Sequence, residues 1–479
     1  MQQLTGLDSA FLYLETSNAP MQIGGVSIID PQTPDGRLDL DRLRELLLSR
    51  IHTSRTFTQR LVEVPLKLGK PYWIEDESFD IDRHLERTQL PEPGGWKELC
   101  ALMAWEFSQQ MDRDKPLWEL LLVEGLETVE GVPPGSVALI SKIHHAAIDG
   151  VSGSDLMSAL YDPSPEPRAV PAATPRESQN GLSKGKLLRK SGRNLLKVPK
   201  ALSGTLGETV KGVVRSGAAW RFKKVELPPL PFTAPRSRLN SPVSQNRTWS
   251  AALLSLDRIK AIRHSVEATV NDVVLTVCAG ALRRYLQDKD DLPEKPLVAM
   301  VPISVRSEDE RGTMGNQVSA MLVSLATDLD DPLERLRVIH RGATDSKIHH
   351  QAVGARTLSD YSQFIPFGLA GAGARLYTRM HLAEKHRPIF NLVITNVPGP
   401  QIPLYVAGAR LLAHAGAAPI FDGMGLILPI FSYAGNLAVG ATSCREIMPD
   451  IDVLTGYLVD SLNELEARVA EIDDADESV

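Results

Sequence analysis

Apolar residues along this chain recur with two periods, and the exchange between them predicts a mixed strand-and-helix protein. A buried strand is expected over 26–29, then an amphipathic helix over 39–49 with Leu43, Leu46 and Leu47 on one side. A second helix is expected over 96–111. Strands over 116–123 and 137–143, separated by a loop holding Gly131, Pro133, Pro134 and Gly135, form an antiparallel pair. After residue 246 the texture returns. Helices are expected over 256–267 and from 270 through Leu275, Cys278, Leu282 and Leu286, the second opened by the capping-box pair Thr269 and Asp272. Strands over 297–305 and 318–325, a helix over 332–346 and a strand over 390–395 come next. That last strand is expected to break at Asn396-Val397-Pro398-Gly399-Pro400.

The stretch 423–444 holds no charge over 22 residues, enough to cross a membrane as a helix. Pro429 and the turn-like Gly435-Asn436 predict two core strands instead. From about 451 a last helix repeats Leu454, Leu458, Leu462, Leu465 and Val469 before an acidic tail. A short helical pattern also runs through Leu156, Met157 and Leu160. No internal repeat is visible.

Composition changes this picture mainly in the middle. With 479 residues the chain exceeds one ordinary core, and 43% hydrophobic with 23% charged residues fits a folded protein. Prolines 163, 165, 167, 171 and 175 open a linker. Residues 181–224 then carry twelve Lys and Arg against one acid, Glu208, which leaves −18 for the rest of a chain whose net charge is −7. Leu195, Val198, Leu202, Leu206, Val210 and Val213 trace one helical stripe through it, closed by Trp220 and Phe222. Such a stripe suits an anionic membrane or lipid-droplet surface, with Lys186, Arg189, Lys190, Arg193, Lys197, Lys200 and Trp220 as the contacts. Pro199, Gly204 and Gly207 weaken a continuous helix, so a solvated basic linker is the alternative. No base-reading motif accompanies the charge, and nucleic acid is not an expected partner. The chain therefore divides into three parts: 1–162, a linker over 163–246, and 247–479. Cys100, Cys278 and Cys444 are odd in number and far apart, and Met1 to Ala10 shows no signal peptide. A cytoplasmic protein, peripherally associated with membrane or lipid droplets, is expected.

Candidate chemistry gathers where the strand 137–143 runs into His144-His145-Ala146-Ala147-Ile148-Asp149-Gly150, an HHxxxDG pattern. Imidazole exchanges protons near neutral pH, and adjacent strand residues point to opposite faces, so one cavity receives one histidine. His145, at the strand end, is the expected base. Asp149 and Gly150 suit a turn that fixes its ring, and His144 supports it. A metal held by His144, His145 and Asp149 would need side chains that diverge, so none is expected. No serine or cysteine sits in a nucleophile elbow, so a covalent enzyme intermediate is not expected. Trp118 is expected to be a core aromatic packing beneath the histidine loop.

HHxxxDG resembles the signature of the superfamily of chloramphenicol acetyltransferase and peptide-synthetase condensation domains. Taken in order with Pro116-Leu117-Trp118, the helix start at Asn271-Asp272, 396–400 and the Pro403 to Arg410 stretch PLYVAGAR, the chain resembles the bacterial wax ester synthase/diacylglycerol acyltransferase family over nearly its whole length. The resemblance implies an α/β fold of two chloramphenicol-acetyltransferase-like halves with mixed sheets flanked by helices and a tunnel between them. It implies transfer of a long-chain acyl group from acyl-CoA, a substrate and not a cofactor, to diacylglycerol or a long-chain alcohol. No cofactor is implied. His145 would be the base, with Gly150, Asn271, Asp272, Pro116, Leu117 and Trp118 binding or positioning substrate. A non-catalytic lipid-coat protein and an amide-forming condensation enzyme are the alternatives, although no carrier region accompanies the latter.

Overall fold

The computed structural model describes residues 2–65, 69–148, 157, 159–170, 229, 232–304, 318–353, 376, 379–380 and 384–477. In chain order the first strands are β1 (Gln2–Gln3), β2 (Gln22–Asp30), β3 (Gln32–Thr33), β4 (Gly36–Arg37), β5 (Gln59–Val62), β6 (Tyr72–Glu75), β7 (Leu85–Gln89), β8 (Trp118–Glu124) and β9 (Val137–His144). They continue as β10 (Arg247–Ser255), β11 (Val298–Ser304), β12 (Val318–Ser324), β13 (Leu392–Pro398), β14 (Tyr405–Val406), β15 (Ala409–Ala417), β16 (Ile427–Tyr433) and β17 (Asn436–Cys444). The helices are α1 (Gly6–Leu14), α2 (Leu40–Arg50), α3 (Trp96–Ser108), α4 (Leu256–Ser265), α5 (Val270–Asp288), α6 (Pro332–Val353) and α7 (Ile451–Glu477).

Two six-stranded mixed sheets organise these elements. The first has the order β14-β15-β2-β9-β8-β7. β9 runs antiparallel to β2 and to β8, and all eight of its residues are buried, as a strand covered on both faces requires. Alternation along the strands sorts the two faces. Val26, Ile28, Leu121, Val123 and Ile140 pack on Leu99, Met103 and Phe107 of α3. Ile29, Leu120, Leu122, Leu139 and Ile143 face Leu12 of α1 and Leu43 and Leu47 of α2. Each fully buried leucine here stabilises the fold by about 1.5–3 kcal/mol relative to exposure.

The second sheet, β10-β17-β16-β13-β11-β12, packs on α4, α5, α6 and α7 through Ile259, Val277, Leu336, Ile339, Leu458 and Leu462. The periodic leucines of α7 are all buried. Two links join the sheets. Trp249 of β10 belongs to the apolar cluster of α3, and β15, which comes after β13 in the chain, pairs with β2 and carries β14 at the edge of the first sheet.

Most expected elements are present, and the differences have local causes. β13 does not break at Asn396; it continues to Pro398 because Asn396, Val397 and Pro398 pair in parallel with Ile430, Phe431 and Ser432. Proline is tolerated there as the terminal residue. The stretch 423–444 forms the antiparallel pair β16–β17, with its turn one residue earlier than expected, at Ala434 and Gly435, φ 45° and 84°. α6 runs seven residues beyond its expected end at 346 to Val353, and α3 stops at Ser108. Among the described residues no single helix is long and apolar enough to cross a membrane. The basic stretch 181–224, with all seven expected membrane contacts, lies outside the described residues.

Candidate active site

β9 delivers the chain to the two histidines, and main-chain hydrogen bonds fix its exit from the sheet. The His144 N–H donates to the Leu117 carbonyl at 3.0 Å, and the His145 N–H to the Met21 carbonyl at 2.8 Å. The chain then leaves the sheet in a short 3-10 turn, His145–Ala147, closed by the Ile148 N–H on the His145 carbonyl at 3.2 Å. Leaving the strand at this residue sends the two rings to different neighbours.

His144 is fully buried, and its Nδ1 accepts the Ala146 N–H at 3.0 Å. A ring nitrogen that accepts a hydrogen bond does so through its lone pair, which leaves Nε2 as the nitrogen facing Glu15, 3.5 Å from its Oε1. Burial alone would raise the Glu15 carboxyl. The contacts with His144 and Arg113 outweigh it, and the pKa falls from 4.5 to about 2. Arg113 is ion-paired with Glu15 and reaches Glu63 at 3.5 Å. A chain of contacts thus runs from Arg113 through Glu15 and His144 to the backbone of the turn that carries His145.

The His145 ring stacks on Phe11 of α1, with centres 3.6 Å apart and planes 13° apart. Burial is the largest influence on it and pulls its pKa from 6.5 to about 4; its own carbonyl opposes the shift and His144 adds to it. The imidazole is therefore neutral at physiological pH. Its Nδ1 is enclosed without a hydrogen-bond partner, yet the residue keeps accessible surface. Nε2 is the nitrogen left to meet a substrate. A neutral, oriented imidazole of this kind is equipped to take a proton.

Glu15→Gln keeps the shape of the side chain and removes the charge facing His144. Turnover is expected to fall by about threefold to tenfold, the worth of one close buried charge contact, with the fold intact. Turnover equal to wild type would show that Glu15 does not orient the site.

The other expected site residues take different places. Leu117 and Trp118 are fully buried. Trp118 donates its indole N–H to the Phe57 carbonyl at 3.1 Å, stacks on His84 at 4.4 Å and pairs with Ile143 in register. With Pro116, whose carbonyl accepts the Trp118 N–H at 3.0 Å, they frame the strand end that bears the histidines. Thr269 and Asp272 close the expected capping box on α5, with bonds of 2.9 and 3.2 Å. The Asp272 carboxylate also meets Nδ1 of His340 at 2.7 Å. Asn271 beside it is half-buried. Asp149 and Gly150 lie outside the described residues. Among the described residues no cluster of three His, Cys, Asp or Glu side chains is placed to hold a metal.

Sequence reasoning missed Glu15, Phe11 and His340. Phe11 and Glu15 sit in an apolar N-terminal run whose only signal was hydrophobicity, and the histidines they meet lie more than 120 residues away.

Comparison with known proteins places this chain in a family. Residues 4–274 match the model of the wax ester synthase/diacylglycerol acyltransferase catalytic domain, and 314–466 match the WS/DGAT C-terminal domain. The O-acyltransferase WSD of Acinetobacter baylyi is 34% identical over 482 residues, spanning 99% of each chain. The solved wax ester synthase/diacylglycerol acyltransferase of Marinobacter aquaeolei VT8 is 30% identical, with a TM-score of 0.70 over 98% of this chain and 100% of that one. The first condensation domain of the calcium-dependent antibiotic synthetase, 15% identical, shares the fold at a TM-score of 0.55 over 97% of each chain. With both family models matched in order and a relative aligned along its full length, the chain belongs to the wax ester synthase/diacylglycerol acyltransferase family.

Proposed function

We propose that this protein is an acyl-CoA-dependent O-acyltransferase that moves a long-chain acyl group to the hydroxyl of diacylglycerol, giving triacylglycerol, and also to long-chain alcohols, giving wax esters. The observation that carries this is the neutral His145 ring at the end of β9, half-buried and held against Phe11, in a chain of this family.

His145 Nε2 takes the proton of the acceptor hydroxyl. The oxygen forms its bond to the thioester carbonyl carbon, and the carbonyl π electrons move to the oxyanion. Collapse breaks the carbon–sulfur bond, and the CoA thiolate recovers the proton from Nε2. A positioned base contributes about 10²–10⁴-fold; orientation and oxyanion donors supply the rest. His144 acts as a positioning residue through the Ala146 N–H. Pro116, Leu117 and Trp118 brace the strand end, and Asn271 and Asp272 set the start of α5. With the Asp272 carboxylate engaged by the cap and His340, Asn271 is the side chain left there for a substrate carbonyl.

The two halves, 1–162 and 247–479, would enclose the substrate tunnel, and the 163–246 linker would bring the enzyme to an anionic membrane or droplet surface from the cytoplasmic side. Three free thiols agree with a reducing compartment. Deleting 181–224 is expected to lower sedimentation with anionic liposomes more than activity on dispersed substrate, and high salt should weaken the association in the intact chain. Equal liposome binding with and without the segment would remove this part.

Purified protein given palmitoyl-CoA and dioleoylglycerol should yield a triacylglycerol bearing one palmitoyl and two oleoyl chains by mass spectrometry, one thiol per product. An amide product, or none with either dioleoylglycerol or hexadecanol, contradicts the proposal.

A further inference from the structure

β15 carries a second deeply set histidine. His414 pairs with Ser27 of β2, with Nδ1 2.9 Å from the Ser27 Oγ, which is in turn 2.6 Å from the Tyr161 hydroxyl. Ser27 and Tyr161 are buried, and Tyr161 packs among Ile29, Leu411 and Tyr433. Polar groups in such a place are costly unless hydrogen-bonded, and the chain of three satisfies them in only one direction.

Burial pushes the Tyr161 hydroxyl up to about 12 and pulls His414 down to about 4, so both are neutral near pH 7. Tyr161 donating to Ser27, and Ser27 donating to Nδ1, uses both hydroxyl hydrogens and leaves the imidazole hydrogen on Nε2. In the reverse direction the Tyr161 hydrogen has no acceptor among the described residues, where Ser27 is its one side-chain partner. The network therefore ends in a single N–H donor. Nε2 bonds to no described residue, and His414 as a residue is half-buried.

Gly25, lacking a side chain, leaves room for the ring beside Ser27. A Cβ at Gly25 would come within 3.0 Å of His414 Cε1, the ring atom between the two nitrogens. The ring thus leans from Ser27 toward Gly25, which is the direction of Gln22, the residue opposite His144. Ile23, Gly25 and Ser27 share one face of β2. Ile23 packs on the cluster that also meets Ile143 and Phe11, the ring against which His145 is stacked. From Gly25 to Gln22 is three residues of strand, roughly 10 Å.

We propose that His414, oriented by Ser27 and Tyr161, is a specificity-determining residue of the acceptor site, its Nε2–H donating to an ester carbonyl of a glycerolipid whose free hydroxyl lies at His145. This rests on the acyltransferase function above and names the acceptor class that the site selects. The span fits. In a diacylglycerol five covalent bonds of ~1.5 Å, bent at each atom, join the free hydroxyl oxygen to the nearer ester carbonyl oxygen. A hydrogen bond of about 2.9 Å at each end brings the total to roughly 10 Å. A long-chain alcohol has no oxygen at that point, and its methylenes would leave the N–H unpaired.

The test is steady-state kinetics with palmitoyl-CoA and either 1,2-dioleoylglycerol or hexadecanol in the same mixed micelles, for wild type, His414→Leu and His414→Gln. In His414→Leu the KM for dioleoylglycerol should rise about tenfold relative to that for hexadecanol, the worth of one hydrogen bond, with a smaller effect on kcat. Glutamine retains an N–H donor and should restore most of the difference. Should His414→Leu fail to fold, Ser27→Ala leaves the imidazole in place without its Nδ1 partner and should shift the same ratio in the same direction. An unchanged KM ratio, or a parallel loss with both acceptors that glutamine does not recover, overturns the assignment. No thiol release by wild type with either acceptor removes the acyltransferase function itself, and this assignment with it.

Discussion

Replacing His145 with alanine is expected to lower acyl transfer by about 10²–10⁴-fold, the usual contribution of a positioned general base. Substrate binding should change far less, because the residues around the turn are held by main-chain bonds to Leu117 and Met21 that alanine preserves. The pH dependence is set by the ring's surroundings. With its pKa pulled to about 4 by burial, His145 is in the base form throughout the neutral range. The acid limb of kcat/KM should therefore have its midpoint near pH 4, well below the 6.5 of an exposed imidazole. Stability shows the same displacement. A histidine whose folded pKa is depressed binds protons more readily in the unfolded chain, so its contribution is complete above pH 6.5 and is lost as pH falls toward 4. His414 acts in the same direction. A His145→Ala enzyme within threefold of wild type, or an acid limb centred near 6.5, would contradict this assignment.

Asp162→Ala is expected to cost about 3–5 kcal/mol of stability, the loss incurred when one partner of a buried ion pair is removed. The Arg50 and Asp162 side chains are 1% and 2% exposed and meet at 2.6 Å. Arg50 also donates to the Ala159 carbonyl at 3.1 Å. The Asp162 backbone exchanges two 2.8 Å hydrogen bonds with Tyr405 of β14. Asp162 thus ties α2, the end of the histidine-motif segment and the hairpin from the later half of the chain together. Alanine leaves the Arg50 guanidinium buried without its anion. Replacing both partners, as Arg50→Met with Asp162→Leu, should cost much less than the single change, since no unpaired charge remains. Chemical denaturation measures both. A single-variant loss below about 1 kcal/mol would mean that water or another group reaches Arg50.

The features legible in the sequence were those that depend on near neighbours. The antiparallel β8–β9 pair, the Thr269–Asp272 cap of α5 and the leucine repeat of α7 are written in residues three, four or a few turns apart. The HHxxxDG motif marked the strand end because the apolar run and the histidines are contiguous. Chain-distant pairings were not legible. No local pattern announces that β15 completes the first sheet beside β2, so Ser27 and His414, 387 residues apart, could not be brought together beforehand. The same holds for Glu15 against His144 and for His340 on Asp272. Parallel pairing with β16 likewise carried β13 past the Asn396 position where local turn chemistry suggested a break.

The most direct test is release of CoA thiol from palmitoyl-CoA by wild type and by His145→Ala, each with dioleoylglycerol, with hexadecanol and with no acceptor. Acyl transfer by direct attack, with His145 as base, predicts release in wild type only when an acceptor is present, and its loss in the variant. Release that continues without acceptor, or that survives in folded His145→Ala, would contradict it.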